Sequence, residues 1–107
     1  MINEIDSESL QERLAGGDDL MLVDIRTPGE VVQGKIPGAL EIPMHLIPLR
    51  LSELPKDKDV VLYCRSGARS YQACAYLMQQ GLGRVVNLRG GIIAWARHGY
   101  PIDWPGR

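Results

Sequence analysis

The pattern in this sequence that is best suited to catalysis is a cysteine followed closely in the chain by two arginines. Cys64 follows the apolar run Val60–Tyr63 and opens the segment Cys-Arg-Ser-Gly-Ala-Arg, which ends at Arg69. A helical pattern begins near Arg69, and the unpaired N–H groups of a helix N-terminus favour an anion. Such groups and nearby arginines lower the pKa of a cysteine from about 8.5 to roughly 3.5–7.5. We therefore predict that Cys64 is a thiolate nucleophile that needs no histidine base.

The residues after Cys64 favour a small anion-binding loop. Gly67 permits a positive φ, so that successive backbone N–H groups can point at one centre. Arg65 and Arg69 add full charges at the rim of the loop. The predicted substrate-binding loop consists of Arg65, Ser66, Gly67, Ala68 and Arg69, with Ser70 as a supporting hydroxyl donor.

Two kinds of reaction use a thiolate in such a loop: attack on a sulfane sulfur, and attack on phosphorus or arsenic. Four residues separate Cys64 from Arg69, whereas cysteine-dependent phosphatases use a longer loop to enclose a tetrahedral oxyanion. The shorter loop favours a single terminal sulfur, and the sequence shows no evident general acid for an oxygen leaving group. A phosphatase or arsenate reductase remains an alternative. So does a module that binds a partner protein or only relays a persulfide to it.

Composition narrows the class of protein further. With 107 residues, 45% of them hydrophobic, we expect one domain over 1–107 with a core of its own. Twelve basic and thirteen acidic residues give a formal charge of -1, which offers no overall attraction to nucleic acid or a membrane surface. The two cysteines are too few for a disulfide framework and lack zinc-ligand spacing, so we expect no metal or other cofactor. The absence of a secretory pattern predicts a cytoplasmic protein. We also expect a monomer or a weak dimer.

Apolar runs alternate with helical patterns along the chain. Strands are predicted at 3–5, 20–23, 40–42, 60–63 and 85–88. Helices are predicted over about 7–15, from the capping box at 27–30, over about 69–80 and 92–97, and within a stretch around 46–54 that Pro48 interrupts. This alternation predicts an α/β fold with a mostly parallel sheet covered on both faces. Ligands of such sheets bind at the carboxyl ends of the strands, where Asp24, Cys64 and the turn 87–91 lie.

Several residues near this edge are expected to support the site. Asp24 can bond to loop N–H groups or pair with an arginine such as Arg26, and either arrangement would hold the loop in shape. Glu30 most simply completes its capping box. Cys74 lies among small apolar residues of a helix and is expected in the core, with a resolving thiol as the alternative.

The sequence resembles the single-domain rhodanese family, the thiosulfate sulfurtransferases, over nearly its whole length. The likeness rests on four ordered motifs, which are Leu22–Arg26, Gly34–Ala39, Tyr63–Ser70 and Asn87–Gly91, followed by Trp95, Gly99 and Pro101. The resemblance implies a rhodanese-like domain with a central five-stranded parallel sheet flanked by helices on both faces. It also implies that Cys64 forms a persulfide and that Arg65 and Arg69 recruit the anionic donor.

The same resemblance implies a substrate class. Sulfane sulfur would pass from thiosulfate or another donor to a thiophilic acceptor, which is cyanide in the test tube and a thiol or protein in the cell. The sequence departs from the family pattern at Lys35, where the family usually has His, and at Val31, where it often has an aromatic residue. Because neither position supplies the nucleophile, we expect little effect on catalysis.

Overall fold

Five short strands form a single parallel sheet. The structure is a computed structural model that describes residues 1–105. The strands are β1 (Asn3–Ile5), β2 (Met21–Asp24), β3 (Leu40–Glu41), β4 (Val60–Tyr63) and β5 (Val85–Leu88). Their order across the sheet is β1-β5-β4-β2-β3, and each neighbouring pair is parallel. The predicted five-stranded parallel sheet is confirmed, and β4 lies at its centre.

Four α-helices connect or follow the strands. They are α1 (Ser7–Ala15), α2 (Pro28–Val31), α3 (Ala68–Gln79) and α4 (Gly91–Arg97). Asp6 caps α1 by accepting a hydrogen bond from the Ser9 N–H at 2.8 Å. Thr27 and Glu30 form the predicted capping box at the start of α2.

The segment between β3 and β4 differs from the prediction. The chain forms two 3-10 helices, Met44–Leu49 and Leu51–Glu53, and the break between them lies at Arg50 rather than at Pro48. Pro48 lies inside the first of them and has no N–H to donate, so it disfavours a regular α-helix there. The short 3-10 turns still bury Ile47 against the sheet.

Alternation along the strands divides the core between two faces. On one face Val23 and Leu62 pack with Leu77 of α3, because successive side chains of a strand point to opposite sides. On the other face Tyr63 packs with Leu10 of α1 and with Trp95 of α4, and all three side chains are buried. All four residues of β4 are buried. Cys64, which directly follows β4, therefore lies at the middle of the carboxyl edge of the sheet.

Within residues 1–105, no helix combines the length and the apolar character that crossing a membrane requires.

A buried ion pair connects the end of β2 to α2. The Arg26 Nη2 atom lies 2.8 Å from the Asp24 Oδ2 atom, and the side chains are 6% and 0% exposed, respectively. Arg26 also donates to the carbonyl oxygens of Gly34 at 2.6 Å and of Glu30 at 3.4 Å. Asp24 pairs with the Arg26 guanidinium, and its Oδ1 atom also accepts the Arg26 backbone N–H at 2.9 Å. The pair fixes α2 beside the carboxyl edge of the sheet.

We expect Asp24→Asn to lower the free energy of unfolding by about 3–5 kcal/mol, because it leaves the buried Arg26 guanidinium without a counter-charge. Asp18→Asn removes one partner of the exposed Arg13–Asp18 pair and serves as the control, with an expected loss below about 1 kcal/mol. Urea unfolding monitored by tryptophan fluorescence measures both. Equal small losses would show that the buried pair does not hold α2 in place.

Candidate active site

Cys64 lies in a ring of hydrogen-bond donors immediately after β4. Its Sγ atom accepts from the backbone N–H of Gly67 at 3.1 Å and from that of Ser70 at 3.4 Å. The Ser70 hydroxyl also lies 3.4 Å from the sulfur. Gly67 has a φ of 102°, which is the left-handed conformation predicted for it, and α3 begins at the next residue. The sulfur therefore occupies the concave side of the loop at the N-terminus of α3.

Two opposing effects set the pKa of Cys64. Burial raises it, because the residue is only 1% exposed and an anion loses its hydration there. Hydrogen bonds from the Ser70 hydroxyl and from the N–H groups of Ser70, Gly67 and Ser66 lower it by more. The net pKa is lowered, so the loop favours the thiolate.

The N-terminus of α4 holds the carbonyl groups of the loop away from the sulfur. The N–H groups of Ile92 and Ile93 donate to the carbonyl oxygens of Cys64 at 3.0 Å and of Arg65 at 3.1 Å. This contact requires glycine at Gly91, because a Cβ atom there would lie 2.5 Å from the Arg65 carbonyl oxygen. Because α4 binds the carbonyl groups of Cys64 and Arg65, the backbone N–H groups of Gly67 and Ser70 can point at the Cys64 sulfur.

A buried polar cluster supports the loop from the side of β5. The Ser70 Oγ atom lies 2.5 Å from Asn87 Oδ1, and Asn87 Nδ2 donates to the Gly67 carbonyl at 3.2 Å and to Glu4 at 2.9 Å. The sequence predicted that Asn87 shapes a turn and missed this side-chain role. The available signal was a single polar residue inside the apolar strand Val-Val-Asn-Leu, since a buried amide needs partners.

The two arginines of the loop differ in their environment. Arg65 is exposed, and its side chain has no ion-pair partner among residues 1–105. Arg69 forms a two-pronged pair with Glu30, with Nη1–Oε1 at 2.9 Å and Nη2–Oε2 at 2.8 Å. This pairing, which the sequence did not predict, is the main cause that lowers the pKa of Glu30 to about 2. One arginine is thus available to an incoming anion and the other already has a carboxylate partner.

The remaining predicted loop residues, Ser66 and Ala68, are exposed at the mouth of the site. Ser66 contributes its backbone N–H to the lowering of the Cys64 pKa. Lys35, which stands at the usual His position, donates to the Ala39 carbonyl at 2.7 Å and pairs with Glu41 at 3.0 Å. Its ammonium group therefore contacts β3 and the residue that precedes it.

Cys74 lies inside the core. It is 0% exposed and free, and burial raises the pKa of its thiol to about 12. These properties favour the core role over that of a resolving thiol. In the part of the chain that the structure describes, no cluster of three His, Cys, Asp or Glu side chains could hold a metal ion.

Comparison with known proteins identifies the family. Residues 6–98 match the family described as Rhodanese-like domain. A protein of Allochromatium vinosum named "Sulfurtransferase" is 76% identical over 105 residues, which is 98% of each chain. The thiosulfate sulfurtransferase GlpE of Stutzerimonas stutzeri is 36% identical over 83 residues, 78% of this chain and 75% of that protein.

A solved structure agrees with this assignment. The crystal structure of a rhodanese-related protein from Thermoplasma volcanium is 30% identical, covers 95% of this chain and 98% of its own, and superimposes with a TM-score of 0.86. The match to the family over most of the chain, together with the parallel sheet and the Cys64 loop, shows that this chain belongs to the rhodanese-like domain family.

Proposed function

We propose that this protein is a sulfurtransferase that carries a sulfane sulfur as a persulfide on Cys64. The donor is thiosulfate or a related sulfane compound, and the acceptor is a thiol or a protein in the cell and cyanide in the test tube. The single observation that supports this best is the ring of N–H and hydroxyl donors around Cys64 Sγ, which stabilises a buried thiolate. The names of the relatives from Allochromatium vinosum and Stutzerimonas stutzeri agree with it.

The proposed reaction has two half-reactions. The Cys64 thiolate attacks the outer sulfur of thiosulfate, the S–S bond of the donor breaks, and sulfite leaves with the electron pair of that bond. The resulting persulfide carries one negative charge. In the second half-reaction the acceptor attacks the outer sulfur, and Cys64 leaves as the thiolate that the loop already stabilises. Neither step needs a proton transfer when the acceptor reacts as an anion, as cyanide or a thiolate does, which fits a site without a histidine base.

The charges of the site argue against the phosphatase alternative. A phosphoryl group brings three oxygens that need donors, but Arg69 is paired with Glu30. Glu30, the carboxylate paired with the last residue of the loop, has a pKa of about 2 and is ionised at neutral pH. It therefore cannot protonate an oxygen leaving group, as a phosphatase requires of its general acid.

Mixing the protein with thiosulfate is expected to add the mass of one sulfur atom, because the persulfide is covalent. Intact-protein mass spectrometry measures this gain, which cyanide or dithiothreitol should remove. Cys64→Ser should show no gain, whereas Cys74→Ala should retain it. A gain that depended on Cys74 instead would contradict the proposal.

We expect Ser70→Ala to raise the pKa of the Cys64 thiol, because the thiolate loses a hydrogen bond while the thiol loses little. The rate of iodoacetamide alkylation as a function of pH measures this pKa. Since the thiolate is the form that reacts, the rate falls as the pH drops through the pKa, and the variant is slower at neutral pH. Ser66→Ala is the control, because the Ser66 hydroxyl makes no bond to the sulfur. The same pKa in both variants would exclude a role for the Ser70 hydroxyl.

Arg65→Gln is expected to lower kcat/KM for thiosulfate by roughly tenfold, because it removes the unpaired cation at the mouth of the site. Steady-state thiocyanate formation measures this change. Arg97→Gln, at the C-terminal end of α4 and exposed, should leave kcat/KM unchanged. Equal decreases of kcat/KM in the two variants would show that the net charge of the protein, and not the position of Arg65, determines the reaction with thiosulfate.

A further inference from the structure

We propose that Glu30 determines the donor selectivity of this site: by neutralising Arg69 it disfavours dianionic donors such as thiosulfate relative to donors with one negative charge. This inference rests on the proposed function, since it concerns the first half-reaction at Cys64. Thiosulfonates are the matching monoanionic class, because they carry the same sulfane sulfur and replace one anionic oxygen of thiosulfate by carbon.

The position of Glu30 is determined by the fold. Its Oε1 atom accepts from the Thr27 N–H at 3.1 Å as part of the capping box of α2, and the Arg26 guanidinium contacts its backbone carbonyl at 3.4 Å. From there both carboxylate oxygens reach Arg69, which is 39 residues away in the chain. The pair joins α2 to the active loop.

The Arg69–Glu30 pair lies where its charges would act on an incoming sulfur donor. The side chains of Arg69 and Glu30 are 40% and 29% exposed, so both reach solvent near the loop. The pKa of Arg69 is raised, chiefly by its hydrogen bond to Glu30 and in smaller part by the charge of Cys64. Arg69 directly precedes Ser70, whose N–H and hydroxyl lie 3.4 Å from the Cys64 sulfur. A donor that reaches this sulfur therefore comes close to the Arg69–Glu30 pair, in which the Glu30 carboxylate compensates the Arg69 charge.

Coulomb's law predicts how the removal of the Glu30 charge changes kcat/KM for each of the two donors. The Coulomb energy is proportional to the product of the charges, so an uncompensated charge near the site acts twice as strongly on a dianion as on a monoanion. With Glu30 in place the Arg69 pair has no net charge, and Arg65 is the one loop arginine without an ion-pair partner among residues 1–105. Removing the Glu30 charge would therefore raise kcat/KM for thiosulfate more than kcat/KM for a thiosulfonate.

Methanethiosulfonate is a suitable probe because its reaction matches that of thiosulfate. The Cys64 thiolate attacks the outer sulfur, the S–S bond breaks, and methanesulfinate leaves with the electron pair in place of sulfite. The same persulfide forms from both donors. With cyanide as acceptor, kcat/KM for each donor reports its half-reaction.

Glu30→Gln is the central variant, because Gln retains the capping-box role and removes only the charge. We expect kcat/KM to rise about three- to tenfold for thiosulfate and about two- to threefold for methanethiosulfonate. The ratio of the two values is the decisive quantity, since any change in the pKa of Cys64 affects both donors equally and cancels. Arg69→Gln should lower this ratio, because it leaves the Glu30 charge uncompensated. The double variant should restore a ratio near that of the wild type.

Glu53→Gln is the matched control, because it removes the carboxylate of another exposed arginine pair, Arg50–Glu53, on a 3-10 helix. It should leave the ratio unchanged. An unchanged or lowered ratio in Glu30→Gln would overturn the inference and leave the proposed function intact. If wild-type protein formed no persulfide with either donor, the proposed function would fail and this inference with it.

Discussion

The fold has to satisfy one demanding constraint: Cys64 is almost out of contact with water, and yet its surroundings lower the pKa of its thiol. Burial alone would keep Cys64 protonated, so the backbone must replace the lost hydration with N–H groups aimed at Sγ. Gly67 and Ser70 provide these donors directly. The contribution of α4 is indirect, because its first N–H groups bind the loop carbonyls that would otherwise repel the thiolate. The site therefore depends on two helix N-termini, one that faces the sulfur and one that faces the back of the loop.

The order of the strands explains why the two sides of the loop differ. The central strand β4 has β5 on one side and β2 on the other. From β5 comes a set of buried hydrogen bonds through Asn87, which carries no charge. From the segment after β2 come charged groups, the buried Asp24–Arg26 pair and, beyond it, Glu30. On the β5 side the Asn87 amide maintains the shape of the loop and also binds the Glu4 carboxylate. On the β2 side the Glu30 carboxylate compensates the charge of Arg69.

Sequence reasoning was most successful where the determinants are local. The strand, glycine and helix start around Cys64 are neighbours in the chain, so their geometry follows from residue type. The pair between Glu30 and Arg69 could not be predicted, because it depends on the strand order and because the capping box already accounted for Glu30. The link from Asn87 to Ser70 spans 17 residues and was missed for the same reason. Pro48 was predicted to interrupt the helical stretch but lies inside the first 3-10 helix. The pattern around it did not distinguish an α-helix from 3-10 turns.

The hydroxyl of Ser70 has one proton and two acceptors within reach, the sulfur and the Asn87 side chain. Rotation about a single C–O bond is enough to move that proton from one acceptor to the other. In the proposed cycle, the hydroxyl could therefore follow the negative charge from Cys64 to the outer sulfur of the persulfide and back, while Asn87 keeps its bond to the Gly67 carbonyl. Such a cycle would require the reorientation of one O–H dipole rather than rearrangement of the backbone, and a preorganised site of this kind has a small reorganisation energy.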